Sequence, residues 1–219
     1  MAPEQEERHF YSDQQLLEIS DEIDKAITVP VNAMVEADHM VYDFSEVKAI
    51  LSRARKIVVE DCGCRTENYN CDSPRDVCLN LDEEADFALE KHRKGARGIS
   101  LDEALDVLRR SHEAGLVHMA YVMKGSDKPG LICSCCSCCC HTLGGLLKHG
   151  IHAHVLKSNY IAEYNSEKCI HCGTCVDRCV FMARRMDDGS LSYDASKCMG
   201  CGLCVSTCPT NAISMNLRE

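Results

Sequence analysis

Eighteen cysteines dominate the chemistry open to this chain of 219 residues. They fall in four groups, at residues 62–78, 133–140, 169–179 and 198–208. Clustered thiols form disulfides, bind metal or act as nucleophiles, and the redox state of the compartment decides among these roles. Residues 1–8 are polar and acidic without an apolar core, so we expect no secretory signal and a cytoplasmic, reducing environment. The pattern therefore favours metal binding.

The last two groups form an internal repeat. Residues 169–180 and 198–209 align without a gap, and each carries the spacing Cys-x-x-Cys-x-x-Cys-x-x-x-Cys. Gaps of two residues let three thiolates of one tight loop converge on one cluster. A pair of zinc sites is the chemical alternative, but zinc sites rarely use this spacing. The repeat therefore favours iron–sulfur clusters.

The doubled motif resembles that of the two-cluster bacterial-type ferredoxins, which transfer electrons through two 4Fe-4S clusters. The resemblance implies that the fourth cysteine of each repeat turns to the other cluster, so that the two ligand sets interleave. Val180 departs from the family pattern, which has proline next to the cysteine at that place. The implied sets are Cys169, Cys172, Cys175 and Cys208 for cluster one, and Cys198, Cys201, Cys204 and Cys179 for cluster two.

The ten upstream cysteines are a second candidate for metal binding. Their order, with Cys-x-Cys-Arg at 62–65 and a dense tract at 133–140, resembles a set of anaerobic proteins described broadly as 4Fe-4S binding. That resemblance covers nearly the whole chain and implies a metal centre without naming its function. The candidate ligands are Cys62, Cys64, Cys71, Cys78, Cys133, Cys135, Cys136, Cys138, Cys139 and Cys140.

Ten thiols suffice for two more four-thiolate cubanes with two left over. Adjacent pairs such as Cys135 and Cys136 cannot easily direct both thiolates to one cubane, so some must face elsewhere. This crowding resembles the double-cysteine motifs of heterodisulfide reductases, which hold non-cubane clusters at a catalytic site, although Ser137 or Cys138 replaces the glycine after the pair. The open alternatives are one or two further iron–sulfur clusters, cubane or not, a zinc site, or inert buried thiols.

The sequence allows several roles for each of three polar side chains beside these cysteines. Arg65 could compensate the charge of a cluster, bind an anionic substrate, or pair with Glu67 or Asp61. His118 and His141 flank the dense tract and could be ligands, proton donors, hydrogen-bond partners of thiolates or structural residues. No residue is assigned a catalytic role.

Composition and the motifs that are missing from the sequence narrow the classes of partner that we expect. The formal net charge of −10 argues against nucleic acid and anionic membrane surfaces, both of which select basic patches. No apolar run is long enough to span a bilayer, and neither the Walker spacing nor G-x-G-x-x-G is present. We therefore expect redox proteins or a larger oxidoreductase complex as partners, with no nucleic acid and no membrane insertion.

The elements that must position the cysteines follow from periodicity and capping signals. Ser100 followed by Glu103 is a capping box that opens a helix ending near Gly115. Together the elements predict an α+β fold, with a mixed domain at 1–155 and a dicluster ferredoxin domain at 156–219. The predicted helices are 13–27, 41–55, 81–92, 101–114 and 143–149, and the predicted strands are 56–60, 116–123 and 155–161.

The cysteine pattern supports three hypotheses of function. The first is an electron carrier that uses two 4Fe-4S clusters plus a further cluster upstream. The alternative is a reductase, or a catalytic or accessory subunit, with an unusual active-site cluster at 133–140. The third is a metal-stabilised interaction module that docks through the helices of residues 11–55.

Overall fold

The computed structural model describes residues 11–21, 23–29, 32–36, 39–43, 45–150 and 155–218. Both helices and strands are present, which confirms the α+β class. The first ten residues, on which the expectation about a secretory signal rests, lie outside these ranges. Within the described part of the chain, each helix is too short or too polar to cross a membrane.

The described residues include thirteen strands and seven α-helices. The helices are α1 (Asp13–Ser20), α2 (Ser45–Arg53), α3 (Gly63–Asn68), α4 (Asp82–Glu90), α5 (Leu101–Glu113), α6 (His141–His149) and α7 (Thr174–Asp177). The first nine strands are β1 (Ile23–Thr28), β2 (Asn32–Glu36), β3 (His39–Asp43), β4 (Ile57–Asp61), β5 (Asp76–Leu81), β6 (Arg97–Gly98), β7 (Val117–Met123), β8 (Leu131–Cys135) and β9 (Val155–Leu156). The last four are β10 (Tyr160–Tyr164), β11 (Arg184–Asp187), β12 (Ser190–Tyr193) and β13 (Ile213–Leu217).

A seven-stranded sheet with the order β6-β4-β5-β8-β7-β1-β9 is the framework of the upstream segment. Its strand pairs are antiparallel except β1 with β9, which is parallel. The residues of β4, β5 and β7 are almost all buried, as expected for central strands covered on both faces. The sheet sets the end of β4, the strand β5 and the strand β8 side by side, and these three carry cysteines at or next to their ends.

The segment after β9 forms smaller sheets. Strand β10 pairs with β13, so the two ends of this segment lie together, and β11 pairs with β12 in a hairpin. The remaining two-stranded sheet is β2 with β3. The division into domains at residue 155 stays a prediction, although β9 belongs to the large sheet and β10 to a separate one.

Local signals predicted several elements correctly. The capping box at the start of α5 is confirmed, because Ser100 accepts from the Glu103 backbone and Glu103 accepts from the Ser100 backbone. The predicted strands at 56–60 and 116–123 correspond to β4 and β7, and the predicted helix at 81–92 corresponds to α4.

Three predicted elements were wrong in extent. The helix expected over 13–27 ends at Ser20, and Ile23 and Ile27 lie in β1, because their spacing suits both periods and this segment pairs with β7 as a strand. The helix expected from residue 41 begins at Ser45, after β3. The single strand expected over 155–161 is two short strands in different sheets.

Candidate metal centres

Four upstream cysteines bring their sulfur atoms together, and we call Cys71, Cys136, Cys138 and Cys139 the four-thiol group. All four sulfurs lie within 4.8 Å of one another. The sulfur–sulfur distances are 3.8 Å from Cys71 to Cys136, 3.9 Å from Cys71 to Cys139 and 3.8 Å from Cys138 to Cys139. A cluster of thiols this close is a metal-binding arrangement in a reducing compartment.

Two asparagine side chains hold the loop that carries Cys71 against the dense tract. The Asn68 amide donates to the carbonyl oxygen of Cys139 at 3.1 Å, and the Asn70 amide donates to that of Cys138 at 2.9 Å. Between them, Tyr69 ends α3 in the left-handed conformation, with φ of 47°, which turns the chain towards the thiols. The four-thiol group therefore rests on side chain to backbone hydrogen bonds between segments about seventy residues apart.

The other six upstream cysteines form a closed circle of interacting thiols, which we call the six-thiol ring. Cys78 and Cys133 lie 3.9 Å apart, and each remaining thiol is close enough to the next one to shift its pKa. The ring runs in the order Cys62, Cys64, Cys140, Cys135, Cys133 and Cys78, and back to Cys62.

Secondary structure explains why the ten cysteines separate as they do. Cys133 and Cys135 are two apart on β8 and share one face of the sheet, whereas Cys136 begins the turn that leads to α6. The adjacent pair therefore points to different groups, Cys135 to the ring and Cys136 to the four-thiol group. Cys140 returns to the ring as the N-cap of α6, where its sulfur accepts from the Leu143 backbone.

Arg65 lies between the two groups and is fully buried. Its Nη1 donates to the carbonyl oxygen of Ser134 at 2.9 Å, and its guanidinium acts electrostatically on Cys62, Cys78 and Cys136. These contacts are to thiols and not to Glu67 or Asp61, which were the alternative partners. A buried cation beside thiols compensates the negative charge that metal-bound thiolates carry.

Thiol pKa values differ strongly within each group. Hydrogen bonding with Cys138, aided by Arg65, lowers the pKa of Cys136 to about 4 in spite of its burial. Hydrogen bonding with Cys133 and Cys140 lowers the pKa of Cys135 to about 6, whereas the hydrogen bond with Cys64 raises that of Cys62 to about 11. Each group thus shares its protons between neighbouring sulfurs, and these are the protons that a bound metal displaces.

The two flanking histidines have different surroundings. His141 lies with Nδ1 3.2 Å from the sulfur of Cys64, and burial lowers its pKa to about 4, so it is neutral at pH 7. His118 contacts Ser134 Oγ at 3.1 Å through Nδ1 and stacks on His112, with ring centroids 6.2 Å apart. His141 is therefore a thiol neighbour, and His118 is a buried structural residue.

The histidine pair predicts an acid-sensitive fold. Burial lowers the pKa of His112 to about 4 and that of His118 to about 3, both below the ordinary value of 6.5. The unfolded chain binds these protons below pH 6.5 and the folded chain does not, so stability is lost as pH falls from about 6.5 to 4. We expect His118→Asn to lower the pH slope of the unfolding free energy by up to about 1.4 kcal/mol per pH unit in that window.

Denaturant unfolding at several pH values measures this slope. Thiol protonation contributes equally to both proteins, so the difference between them isolates the histidine. Equal slopes for His118→Asn and the unaltered protein would contradict the prediction.

Four cysteines of the C-terminal segment line one cavity, which we call cavity one. His171 also lines it and accepts a hydrogen bond from the Leu191 backbone through Nδ1 at 2.9 Å. Gly173, with φ of +79°, turns the loop around the cavity. The lining cysteines are Cys169, Cys172, Cys175 and Cys208.

The other four cysteines line a second cavity, which we call cavity two. Arg184 also lines it, is almost fully buried, and lies in hydrogen-bond contact with Cys204. Sequence reasoning missed Arg184, since nothing in the pattern distinguishes it from its exposed neighbour Arg185. The lining cysteines are Cys179, Cys198, Cys201 and Cys204.

Residues 191–214 match the family model of the 4Fe-4S binding domain, Fer4. No curated protein matches the chain. The matched residues include Cys198, Cys201, Cys204 and Cys208, which contribute to both cavities. The match to the 4Fe-4S binding domain makes this chain an iron–sulfur protein, and the clustered upstream thiols are a further metal-binding region.

The 4Fe-4S binding domain packs directly against the six-thiol ring. Cys201 and Leu203 lie in one buried hydrophobic cluster with Cys135 and Cys140 of the ring. In the same cluster, the Tyr121 hydroxyl lies 3.7 Å from the sulfur of Cys135. Tyr121 was not singled out from the sequence, because an apolar strand gives no sign of which aromatic residue will meet a thiol.

Hydrogen bonds of Arg178 and Ser206 fix the domain against α5. The guanidinium of Arg178 donates to the carbonyl oxygens of His112 and Glu113 at the end of the helix. On the same side, His112 Nε2 lies 2.6 Å from Ser206 Oγ. Cavity two is therefore held in a defined position relative to the sheet that carries the ring.

Proposed function

We propose that this protein is an electron carrier with two 4Fe-4S clusters in its C-terminal segment and a further iron–sulfur cluster in the six-thiol ring. The observation that carries the proposal is that two separate cavities are each lined by one of the two interleaved cysteine sets. A 4Fe-4S cluster supplies reversible one-electron transfer when bound.

The residues around both cavities fit such clusters. Cys208 Sγ accepts a hydrogen bond from the Ala212 backbone at 3.2 Å, a donor of the kind that stabilises a charged thiolate. Glycines with positive φ, Gly173 at cavity one and Gly200 beside cavity two, allow the backbone to turn tightly around the space. The chain therefore offers thiolates, N–H donors and room at each site.

The difference in exposure between cavity one and cavity two supports a direction for electron transfer. At cavity one, Cys172 is exposed and Ile170 has 62% of its surface exposed, so a redox partner could dock there. Cavity two shares its buried cluster with cavity one on one side and with the ring on the other. We propose that electrons enter from a partner protein or complex at cavity one and pass through cavity two to the ring.

Iron and acid-labile sulfide analysis of the anaerobically purified protein tests this function. We expect about twelve irons per chain, four from each of three clusters. Cys172→Ser and Cys78→Ser should each lose about four, from cavity one and from the ring. In the reduced protein, electron paramagnetic resonance should show spin coupling between neighbouring clusters. A colourless preparation with zinc or no metal at residues 169–208 would refute the proposal.

A cavity beside the dense tract favours a second candidate, a reductase or a catalytic subunit. This cavity is lined by Cys140 of the ring, Cys138 and Cys139 of the four-thiol group, and the polar side chains of Tyr11 and Lys148. A substrate bound there would lie beside thiols of the upstream groups. Reduction of a disulfide would take two electrons from the clusters and two protons, and release two thiols.

Turnover separates the two candidates. The electron carrier predicts no consumption of a small disulfide when the purified protein is reduced by dithionite. The reductase predicts steady turnover, together with a ring resonance signal that shifts when the disulfide is added. Lys148→Ala, which leaves every thiol in place, should lower that turnover without changing the iron content.

A further inference from the structure

We infer that the four-thiol group binds a single tetrahedral metal ion of the zinc class, and not an iron–sulfur cluster. This site goes beyond the proposed function, because Cys71, Cys136, Cys138 and Cys139 are not among the ligands of the three proposed clusters. The ion would be a structural element of an otherwise redox-active protein.

The distances fit a single ion. For a zinc–sulfur bond of about 2.3 Å, the edge of a regular tetrahedron of ligands is about 3.8 Å. The three sulfur–sulfur contacts in the four-thiol group measure 3.8, 3.9 and 3.8 Å, and all four sulfurs lie within 4.8 Å of one another. Three of the six edges therefore already match those around one ion, and the other three are at most 4.8 Å long.

The C-terminal segment of the same chain provides the contrast. A cubane binds its four thiolates on four different irons, so the sulfurs must stand around a larger space than they do around one ion. The two interleaved sets each line a cavity of their own. Within residues 155–218, no two of those eight thiols are in hydrogen-bond contact. The four-thiol group has the opposite arrangement, with sulfurs in mutual contact.

The six-thiol ring differs from the four-thiol group as well. Among the described residues, the four-thiol group is the set whose ligand atoms all lie within 4.8 Å of one another. In the ring, each thiol interacts with its two neighbours around a circle of six, and one neighbouring pair, Cys78 and Cys133, lies 3.9 Å apart. A wide ring of six thiols suits a centre with several metal atoms, and a compact tetrahedron of four thiols suits one ion. The ten upstream thiols therefore divide into one site for a larger centre and one site for a single ion.

The surroundings suit a closed structural site. Four thiolates around a divalent cation leave a charge of −2, and the buried Arg65 guanidinium lies beside Cys136 to offset part of it. Asn68 and Asn70 bind the carbonyl oxygens of Cys139 and Cys138, which fixes the ligand loop from outside. All four positions are taken by protein sulfur, so no place is left for a reacting molecule.

The ion would position the ring. Cys136, Cys138 and Cys139 lie in the sequence between Cys135 and Cys140, which are neighbours in the ring. An ion that fixes this turn therefore also fixes the positions of those two ring cysteines. Cys71 ties the same turn to the loop after α3, which carries Cys62 and Cys64 at its start. A single ion therefore pins both of the segments from which the ring is built.

Metal and sulfide analysis of two serine variants tests the inference. We expect Cys71→Ser to lose about one zinc ion per chain and to keep its acid-labile sulfide. The matched control Cys172→Ser should lose iron and sulfide at cavity one and keep its zinc. Loss of sulfide in Cys71→Ser would overturn the inference, since it would place a cluster there, and an unchanged zinc content would overturn it equally.

A measurement on the unaltered protein guards against a variant that fails to fold. X-ray absorption at the zinc edge should show four sulfur neighbours at about 2.3 Å and no nitrogen or oxygen neighbour. Nitrogen or oxygen ligands, or absence of zinc from protein grown with zinc, would refute the site. The outcome is independent of the electron-carrier proposal, which depends on iron at the other fourteen cysteines.

Discussion

Gly200→Ala is expected to lower the free energy of unfolding by about 3 kcal/mol or more and to remove the iron that we propose for cavity two. Gly200 has φ of +75°, where any residue with a Cβ is strained. An added Cβ would also overlap the backbone carbonyl oxygen of Tyr160 and lie 2.8 Å from Ser158 Cβ. The backbone at Tyr160 cannot move aside cheaply, because it pairs with Leu217 in the sheet of β10 and β13.

Gly189→Ala is the matched control. Gly189 has φ of +79°, but nothing lies within 4 Å of the position that its Cβ would take. We expect a loss of about 1–2 kcal/mol from backbone strain alone and a full iron content. Denaturant unfolding and iron analysis of both variants measure the two effects. Equal losses of stability with iron retained in both would show that the approach of Tyr160 to Gly200 does not matter for cavity two.

The convergence of the first three cysteines of each repeat is a local prediction, because the spacing puts three thiols on one turn of chain. The capping box of Ser100 and Glu103 was predictable for the same reason, since both partners lie within one helical turn. Interactions of this kind depend on residues only a few positions apart. The exchange of the fourth cysteine, Cys179 or Cys208, between the two sets is not local, and it follows from the resemblance to the two-cluster ferredoxins.

The division of the upstream thiols could not be predicted, because it depends on long-range pairing. Cys78 reaches Cys133 only because β5 and β8 are neighbours in the sheet, although 55 residues separate the two cysteines. Cys71 likewise meets Cys136 through a loop whose position depends on two asparagine side chains. The sequence shows ten candidate ligands, and the order of strands in the sheet sorts them into groups of four and six.

The burial of the charged side chain of Arg65 likewise depends on long-range pairing. The sequence left open a solvent-facing arginine paired with Glu67 or Asp61, and burial was the less expected outcome for so polar a side chain. The sheet places Ser134 of β8 within reach of α3, where its carbonyl oxygen accepts a hydrogen bond from Arg65. The arginine is then enclosed between two sets of thiols, where its charge has the largest effect.

Arg65→Met is expected to lower the unfolding free energy of the metal-loaded protein by about 3–5 kcal/mol, because it leaves buried thiolates without their cation. The Ser134 carbonyl also loses the donor that now lies 2.9 Å away. The guanidinium contributes to the low pKa of Cys136, so removing it raises that pKa. Protons then compete with metal at higher pH, and we expect acid-driven metal release to begin at a higher pH than in the unaltered protein.

Two further variants separate charge from shape. Arg65→Lys keeps a cation of similar length but loses the planar fork, so its loss of stability should lie between those of the unaltered protein and Arg65→Met. Arg75→Met is the matched control, because Arg75 is only partly buried and stacks over the Tyr69 ring at 4.3 Å, on the loop that carries Cys71. Its loss should stay near 1 kcal/mol with no change in the pH of metal release. If Arg65→Met released metal at the same pH as Arg75→Met, the buried guanidinium would have no part in holding the thiolates charged.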